Sequence, residues 1–186
     1  MSPGRSARRA PVPINDQRRG RSLLLPESVV AATERLLRTY GADGDEHEGI
    51  VYLGGVESDD TSVALTAFAP EAETTWGSFR TGSDANSRLV GALMERGLRL
   101  VGQVHSHPGT WTDHSDGDDA GALVRFEGYW SLVVPRYGRE GMRLLTGCGV
   151  HLFTAGAFAR LTAAAVAVRV RVLPAAADLR AEVRDA

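Results

Sequence analysis

Lysine is missing altogether from these 186 residues, and all 21 basic side chains are arginine. The abundance of Ala, Gly, Val and Arg makes compositional bias the simplest explanation. Cysteine is nearly as scarce. With Cys148 alone there is no intramolecular disulfide, which removes the disulfide-stapled classes and points to a reducing, cytoplasmic compartment. No apolar run approaches the roughly 20 residues of a membrane span. Leu23 to Leu25 follow Arg18, Arg19 and Arg21, but Pro26 and Glu27 cut the run short of a signal-peptide core. No internal repeat is visible. A chain of 186 residues with 43% hydrophobic content suits one domain with appendages.

Charge is unevenly spread. Residues 1–21 carry six Arg against Asp16 alone, with Pro3, Pro11 and Pro13 and no apolar periodicity, which reads as a disordered basic arm. Residues 22–186 hold fifteen Arg against twenty-two acids, a net charge of −7. Nucleic-acid binding would have only the arm to rest on, and neither nucleic acid nor membrane is expected as a partner.

The body alternates strand and helix patterns. Leu23 to Leu25 read as a short strand. Pro26 opens a helix with Val29, Val30, Thr33, Leu36, Leu37 and Tyr40 on one face, ended by Gly41. Strands are expected over 49–55 and 62–69, then a polar segment over 70–82. Ser83 caps a second helix bearing Ala85, Leu89, Val90, Leu93 and Met94 and stopped by Gly97. Further strands are expected near 129–135, 142–146 and 149–154. Val166, Val168, Val170 and Val172 alternate with Ala167, Arg169 and Arg171 as a half-buried edge strand with solvent-facing arginines. The stretch 175–186 reads as a short helix or tail. The domain division is therefore 1–21 for the arm, 22–160 for the main domain, and 161–186 for the edge strand and tail.

The chemistry concentrates in His105-Ser106-His107-Pro108, with Ser115 and Asp118 downstream. Residues i and i+2 of a strand point the same way, so two histidines at the end of the apolar run 98–104 aim their imidazoles at one point. Pro108 and Gly109 take the chain out of the sheet. The loop to His114 is short enough to return Asp118 to the same place, with Ser115 as N-cap of a helix running on through Val124. Two His and one Asp leave a fourth position open, as in a catalytic zinc site. Upstream, acidic residues precede the strand at 49–55, and Glu48 is the candidate base, with Glu46 one pleat away on the same face.

These residues resemble the JAMM (JAB, MPN+) zinc metalloproteases, whose motif is a glutamate ahead of a strand, then H-x-H-P, six residues, S, two residues, D. Glu48 precedes Gly55 by the family's interval, and the likeness covers about 23–161. It implies an α/β fold of the cytidine-deaminase-like JAB/MPN kind, with a mixed, largely antiparallel sheet flanked by helices. It also implies one Zn²⁺ per chain on His105, His107 and Asp118. Glu48 would take a proton from zinc-bound water and pass it to the leaving amine, and Ser115 would help hold the oxyanion. The implied substrate is the bond after the C-terminal Gly-Gly of a ubiquitin-like modifier, with that tail and its conjugates as partners and activating and conjugating enzymes as neighbours. In such company the absence of lysine would also spare the protein from conjugation. The segment 70–82, with Trp76 and Phe79, would flank the substrate groove and contact the modifier, and a folded-back segment would autoinhibit the enzyme. Trp111 would line the path to zinc or anchor its loop. A processing peptidase for sulfur-carrier precursors, a RadC-like protein or a non-catalytic JAB scaffold are the alternatives.

Other readings fit less well. Metallo-β-lactamase-like enzymes use H-x-H-x-D-H, whereas Asp113-His114 starts six residues after His107. Amidohydrolase barrels need about 250 residues. Cys148 and His151, at i and i+3 of a strand, face opposite sides; the thiol reads as buried and inert, His151 as structural, and His114 as an exposed loop residue, with an approach to the edge of the metal site as the alternative.

Overall fold

The structure is a computed structural model and describes residues 21–41, 45–142, 145 and 147–174. Its strands are β1 (Ser22–Pro26), β2 (Ile50–Glu57), β3 (Thr61–Phe68), β4 (Ala72–Thr75), β5 (Ser78–Thr81), β6 (Arg99–Ser106), β7 (Trp130–Val134), β8 (Gly149–Thr154), β9 (Ala157–Arg160) and β10 (Val170–Leu173). Its α-helices are α1 (Glu27–Leu37), α2 (Ser83–Met94), α3 (Asp116–Gly121) and α4 (Ala163–Arg169). Eight strands form one sheet in the order β10-β1-β3-β2-β6-β7-β8-β9, and β4-β5 stand apart as a hairpin. The pairs β1/β10, β1/β3 and β6/β7 are parallel, and the other four in the sheet are antiparallel. This is the mixed, largely antiparallel α/β sheet the sequence implied.

β2 shows how the two layers arise. Ile50, Val51, Tyr52 and Leu53 are all buried, and successive side chains leave opposite faces. Val51 and Leu53 join Leu23, Leu25, Val29 and Leu37 in one core, while Ile50 and Tyr52 join Leu89 and Leu93 of α2 in the other. Nearer the motif the second face turns polar. β6, β7 and β8 send Val104, Leu132, Val150 and Leu152 into the first core. The intervening positions Gln103, Ser131, His151 and Arg160 are direct cross-strand neighbours, giving a polar row across four strands.

Several expectations are corrected. At the strand expected over 142–146, the described residues Met142 and Leu145 are in no ladder: the Met142 N–H donates to Glu34 Oε1 at 2.7 Å, and Leu145 has φ +54. Residues 143, 144 and 146 lie outside the described set. Burial of Met142 and Leu145 accounts for the apolar signal without a ladder. The valine alternation is strand only from Val170, because Thr162 caps the Ala-rich run and makes it helix α4, its hydroxyl accepting from Ala165 N at 3.2 Å. Arg169, expected in solvent, is buried, donating to the Arg21 carbonyl at 3.0 Å with its guanidinium over the Trp130 ring.

Smaller shifts occur at the caps. Pro26 ends β1 and precedes the helix, and Ser83 is the first residue of α2 behind Gly82. The helix after Ser115 stops at Gly121 and does not reach Val124. The segment 70–82 contains a hairpin, and β9 was not anticipated. The arm (1–20) and the tail (175–186) lie outside the described residues. Arg21, grouped with the arm by sequence, pairs with Glu57 at 2.6 Å on the body.

At Gly55 the β2/β3 register shifts, and a Cβ there would stand 1.9 Å from the Val63 carbonyl oxygen. Gly55→Ala should therefore cost about 1–3 kcal/mol through forced backbone displacement. Thermal unfolding should show a Tm several degrees lower, and an unchanged Tm would contradict the close packing.

Candidate metal centre

His105 ends its run on the same face of β6 as Gln103, and His107 follows just past the strand. Their Nε2 atoms stand 3.2 Å apart. Asp118 comes from α3 and completes a triangle, Oδ1 lying 3.6 Å from His105 Nε2 and Oδ2 lying 3.4 Å from His107 Nε2. Two ligands of a tetrahedral zinc with bonds of about 2.0–2.2 Å stand about 3.3–3.6 Å apart, so the triangle is the size of one face of such a site. His107 Nδ1 lies 3.0 Å from the Trp111 carbonyl. Donation there fixes the tautomer and leaves the Nε2 lone pair aimed at the triangle, a usual arrangement for ligating histidines. The three residues fit a divalent metal by donor type, spacing and orientation.

Electrostatics follow from burial. Desolvation lowers His105 to about 4, so its ring is neutral with a free lone pair. Burial pushes the Asp118 carboxyl up, but the two imidazoles beside it and the bond from the Ser115 backbone outweigh burial and hold the group well below the usual carboxylate range. For His107 the order reverses: burial lowers it, and the Asp118 carboxylate beside it raises it above its ordinary value.

Glu48 lies on the same cavity, which has a volume of about 410 Å³. It is 6% exposed, and burial raises its carboxyl to about 7, with the His107 charge lowering it and Asp118 raising it. Its place is set by the main chain. Gly49 N donates to Ser106 Oγ at 2.9 Å, Ser106 N to the Gly49 carbonyl at 3.0 Å, and Glu48 N to the Thr75 carbonyl at 2.9 Å. The residue between the two histidines thus ties the glutamate to them. Glu46, the other candidate base, is turned to an ion pair with Arg139.

Ser115 is the N-cap. Its Oγ accepts from Asp118 N at 3.1 Å and its backbone N–H donates to Asp118 Oδ2 at 2.7 Å, closing a capping box, and the Oγ also donates to Oδ2 at 2.8 Å. The hydroxyl proton is therefore engaged with the ligand carboxylate. Trp111 both lines the cavity and anchors: its ring stacks on His107 at 5.1 Å and 13°, and it remains 42% exposed. Trp76, at the tip of the β4-β5 hairpin, is 71% exposed on the same cavity, with Phe79 reaching the His105 ring at 5.7 Å.

Cys148 packs against the first core while burial drives its thiol up to about 12, so it is inert as read. His151 is structural: it is buried and meets Asp113 Oδ1 at 3.3 Å, and Asp113 also pairs with Arg160. His114 is a correction. Expected in solvent, it is enclosed, with Nδ1 2.8 Å from Asp119 and Nε2 2.8 Å from Ser131 Oγ. Ser106, Gln103 and Ser131 were missed. Their signal was legible, a polar residue inside each of two otherwise apolar strands and between two histidines. Among the described residues no helix is long and apolar enough to cross a membrane.

Comparison with known proteins agrees with this geometry. The family model described as prokaryotic homologs of the JAB domain matches residues 30–146. A protein of Sinorhizobium fredii described as a probable metalloprotease, y4jG, is 36% identical over 129 residues, which are 64% of this chain and 75% of that one. Two solution structures share the fold. One, from Desulfitobacterium hafniense, has a TM-score of 0.59 at 14% identity, covering 82% of this chain and 94% of its own. The other, from Salinibacter ruber, has a TM-score of 0.51 at 19% identity, covering 74% and 86%. With more than half of its length matched, including both histidines and Asp118, this chain belongs to the prokaryotic JAB-domain family.

Proposed function

We propose that this protein is a zinc-dependent peptidase that hydrolyses the amide or isopeptide bond after the C-terminal Gly-Gly of a ubiquitin-like modifier. The observation that carries the reading is the triangle of His105, His107 and Asp118 with the buried Glu48 carboxyl on the same cavity. A zinc ion held by those three would supply Lewis-acid polarisation of the scissile carbonyl and lower the pKa of a water toward about 7. Glu48 accepts the proton from the attacking water and delivers it to the departing nitrogen. Its carboxyl, raised by burial to about 7, is suited to both transfers near neutral pH. Ser115, on the cavity wall, is the side-chain donor available to the developing oxyanion once its O–H leaves Asp118.

Support for an extended tail comes from the walls. Gly109, Gly117, Gly121 and Ser78 line the cavity beside Trp76 and Trp111, and such small side chains let a substrate main chain approach the wall closely. An extended tail laid against the β4-β5 hairpin would gain main-chain hydrogen bonds there.

The zinc-loaded protein should release a reporter fused after Gly-Gly of a ubiquitin-like protein through either a peptide or an isopeptide bond, read by intact-mass spectrometry. An intact fusion alongside cleavage of unrelated unstructured peptides would overturn the substrate class. Glu48→Gln should abolish cleavage while keeping one metal per chain, and metal lost with activity would make Glu48 a ligand. His107→Ala and Asp118→Ala should each lose the metal, since binding needs all three donors; stoichiometric zinc in either would refute the ligand set. Ser115→Ala should slow cleavage on the order of 10²-fold with metal content unchanged. Zinc lost from that variant would assign Ser115 to holding Asp118 instead.

A further inference from the structure

We propose that His114 is a positioning residue for the metal site, clasping α3 to the sheet so that Asp118 is presented to the two histidines. This rests on the metal reading above. α3 is poorly equipped to hold itself in place. Its six residues, Asp-Gly-Asp-Asp-Ala-Gly, include none that is buried, so no apolar side chain anchors it. Two glycines and three aspartates also give it low intrinsic helicity. The Ser115 capping box ties Asp118 to its own helix start and not to the sheet. Yet Asp118 must keep its carboxylate within 3.6 Å of two rings on another element.

His114 makes the missing connection. Nδ1 meets Asp119, the residue next to the ligand, at 2.8 Å, and Nε2 meets Ser131 Oγ on β7 at 2.8 Å. Gln103 Nε2 donates to the same Ser131 oxygen at 3.2 Å. One proton arrangement satisfies every atom: Gln103 donates to Ser131, Ser131 donates to His114 Nε2, and the Nδ1–H donates to the Asp119 carboxylate. The ring stands edge-on to His105 with centroids 5.4 Å apart. The order Ser-His-Asp has the connectivity of a hydrolytic triad. Ser131 is fully buried in mid-strand with its oxygen already accepting from Gln103, so no substrate reaches it. The chain of bonds holds a helix and attacks nothing.

Outer partners of metal ligands typically carry 10–100-fold in affinity. Zinc affinity of the full-length protein, measured by competition with a chelating dye, should therefore weaken about 10–100-fold in both His114→Ala and Asp119→Ala. The cobalt-loaded variants should show a shifted visible d–d band, which a loss of stability alone does not produce. Gly55→Ala, far from the network, is the control for destabilisation and should bind zinc as the wild type does. Asp119 is partly exposed, so its variant decides the matter where His114→Ala does not fold. Wild-type affinity in both variants, or equal weakening in Gly55→Ala, would overturn the clasp. A wild type that binds no metal would overturn the clasp together with the zinc reading, whereas failure on Gly-Gly substrates with metal binding intact would remove only the substrate assignment.

Discussion

Two imidazoles and a carboxylate buried edge to edge form the constraint on which the rest of this structure depends. Taking an ionised carboxylate out of water costs several kcal/mol unless it is paired and hydrogen-bonded, and two facing Nε2 atoms share at most one proton between them. The protein meets this with bonds to two of the three groups, the Trp111 carbonyl on His107 and the backbone and hydroxyl of Ser115 on Asp118, while His105 Nδ1 is buried without a partner. What those bonds leave unshared is a set of lone pairs pointed at one another. A cation is the chemical complement of that arrangement, and zinc is the ion proposed for it.

The surrounding architecture delivers these groups from separate parts of the chain. β6 supplies His105, the residue just past it supplies His107, and the 108–121 segment folds back to supply Asp118. β2 begins where Ser106 holds Gly49, which brings Glu48 to the cavity. Beneath the fold-back lies the polar row of Gln103, Ser131, His151 and Arg160, and His114 and Asp113 dock onto it. One sheet face therefore does two jobs. Its α2 end packs Ile50 and Tyr52 on Leu89 and Leu93, and its motif end hydrogen-bonds the loop that leads into α3, a helix with no buried side chain of its own.

Much of this was legible in the sequence because strand periodicity and ligand spacing are local. The i, i+2 pair at 105 and 107, the Ser115 cap and the strands around 50–55 and 149–154 depend on neighbours within a few residues. Non-local facts were not legible. His114 looks like any polar loop residue until the fold places Ser131 above it, and the ion pair that engages Glu46 is made with Arg139, far along the chain. The valine alternation at 166–172 misled because a four-residue period and a two-residue period both fit so short a run. The Ala-rich start and the Thr162 cap decide for helix. Met142 and Leu145 are buried in the first core outside any ladder, and periodicity does not distinguish such burial from a strand's.

The most direct test is anomalous diffraction at the zinc edge from crystals of the protein grown with zinc. The proposed coordination predicts one peak per chain within about 2.0–2.2 Å of His105 Nε2, His107 Nε2 and an Asp118 oxygen. It also predicts the Glu48 carboxylate on the same cavity but outside bonding distance. A peak bonded to Glu48, one held by other residues, or no peak at the triangle would contradict the metal site and the hydrolytic role built on it.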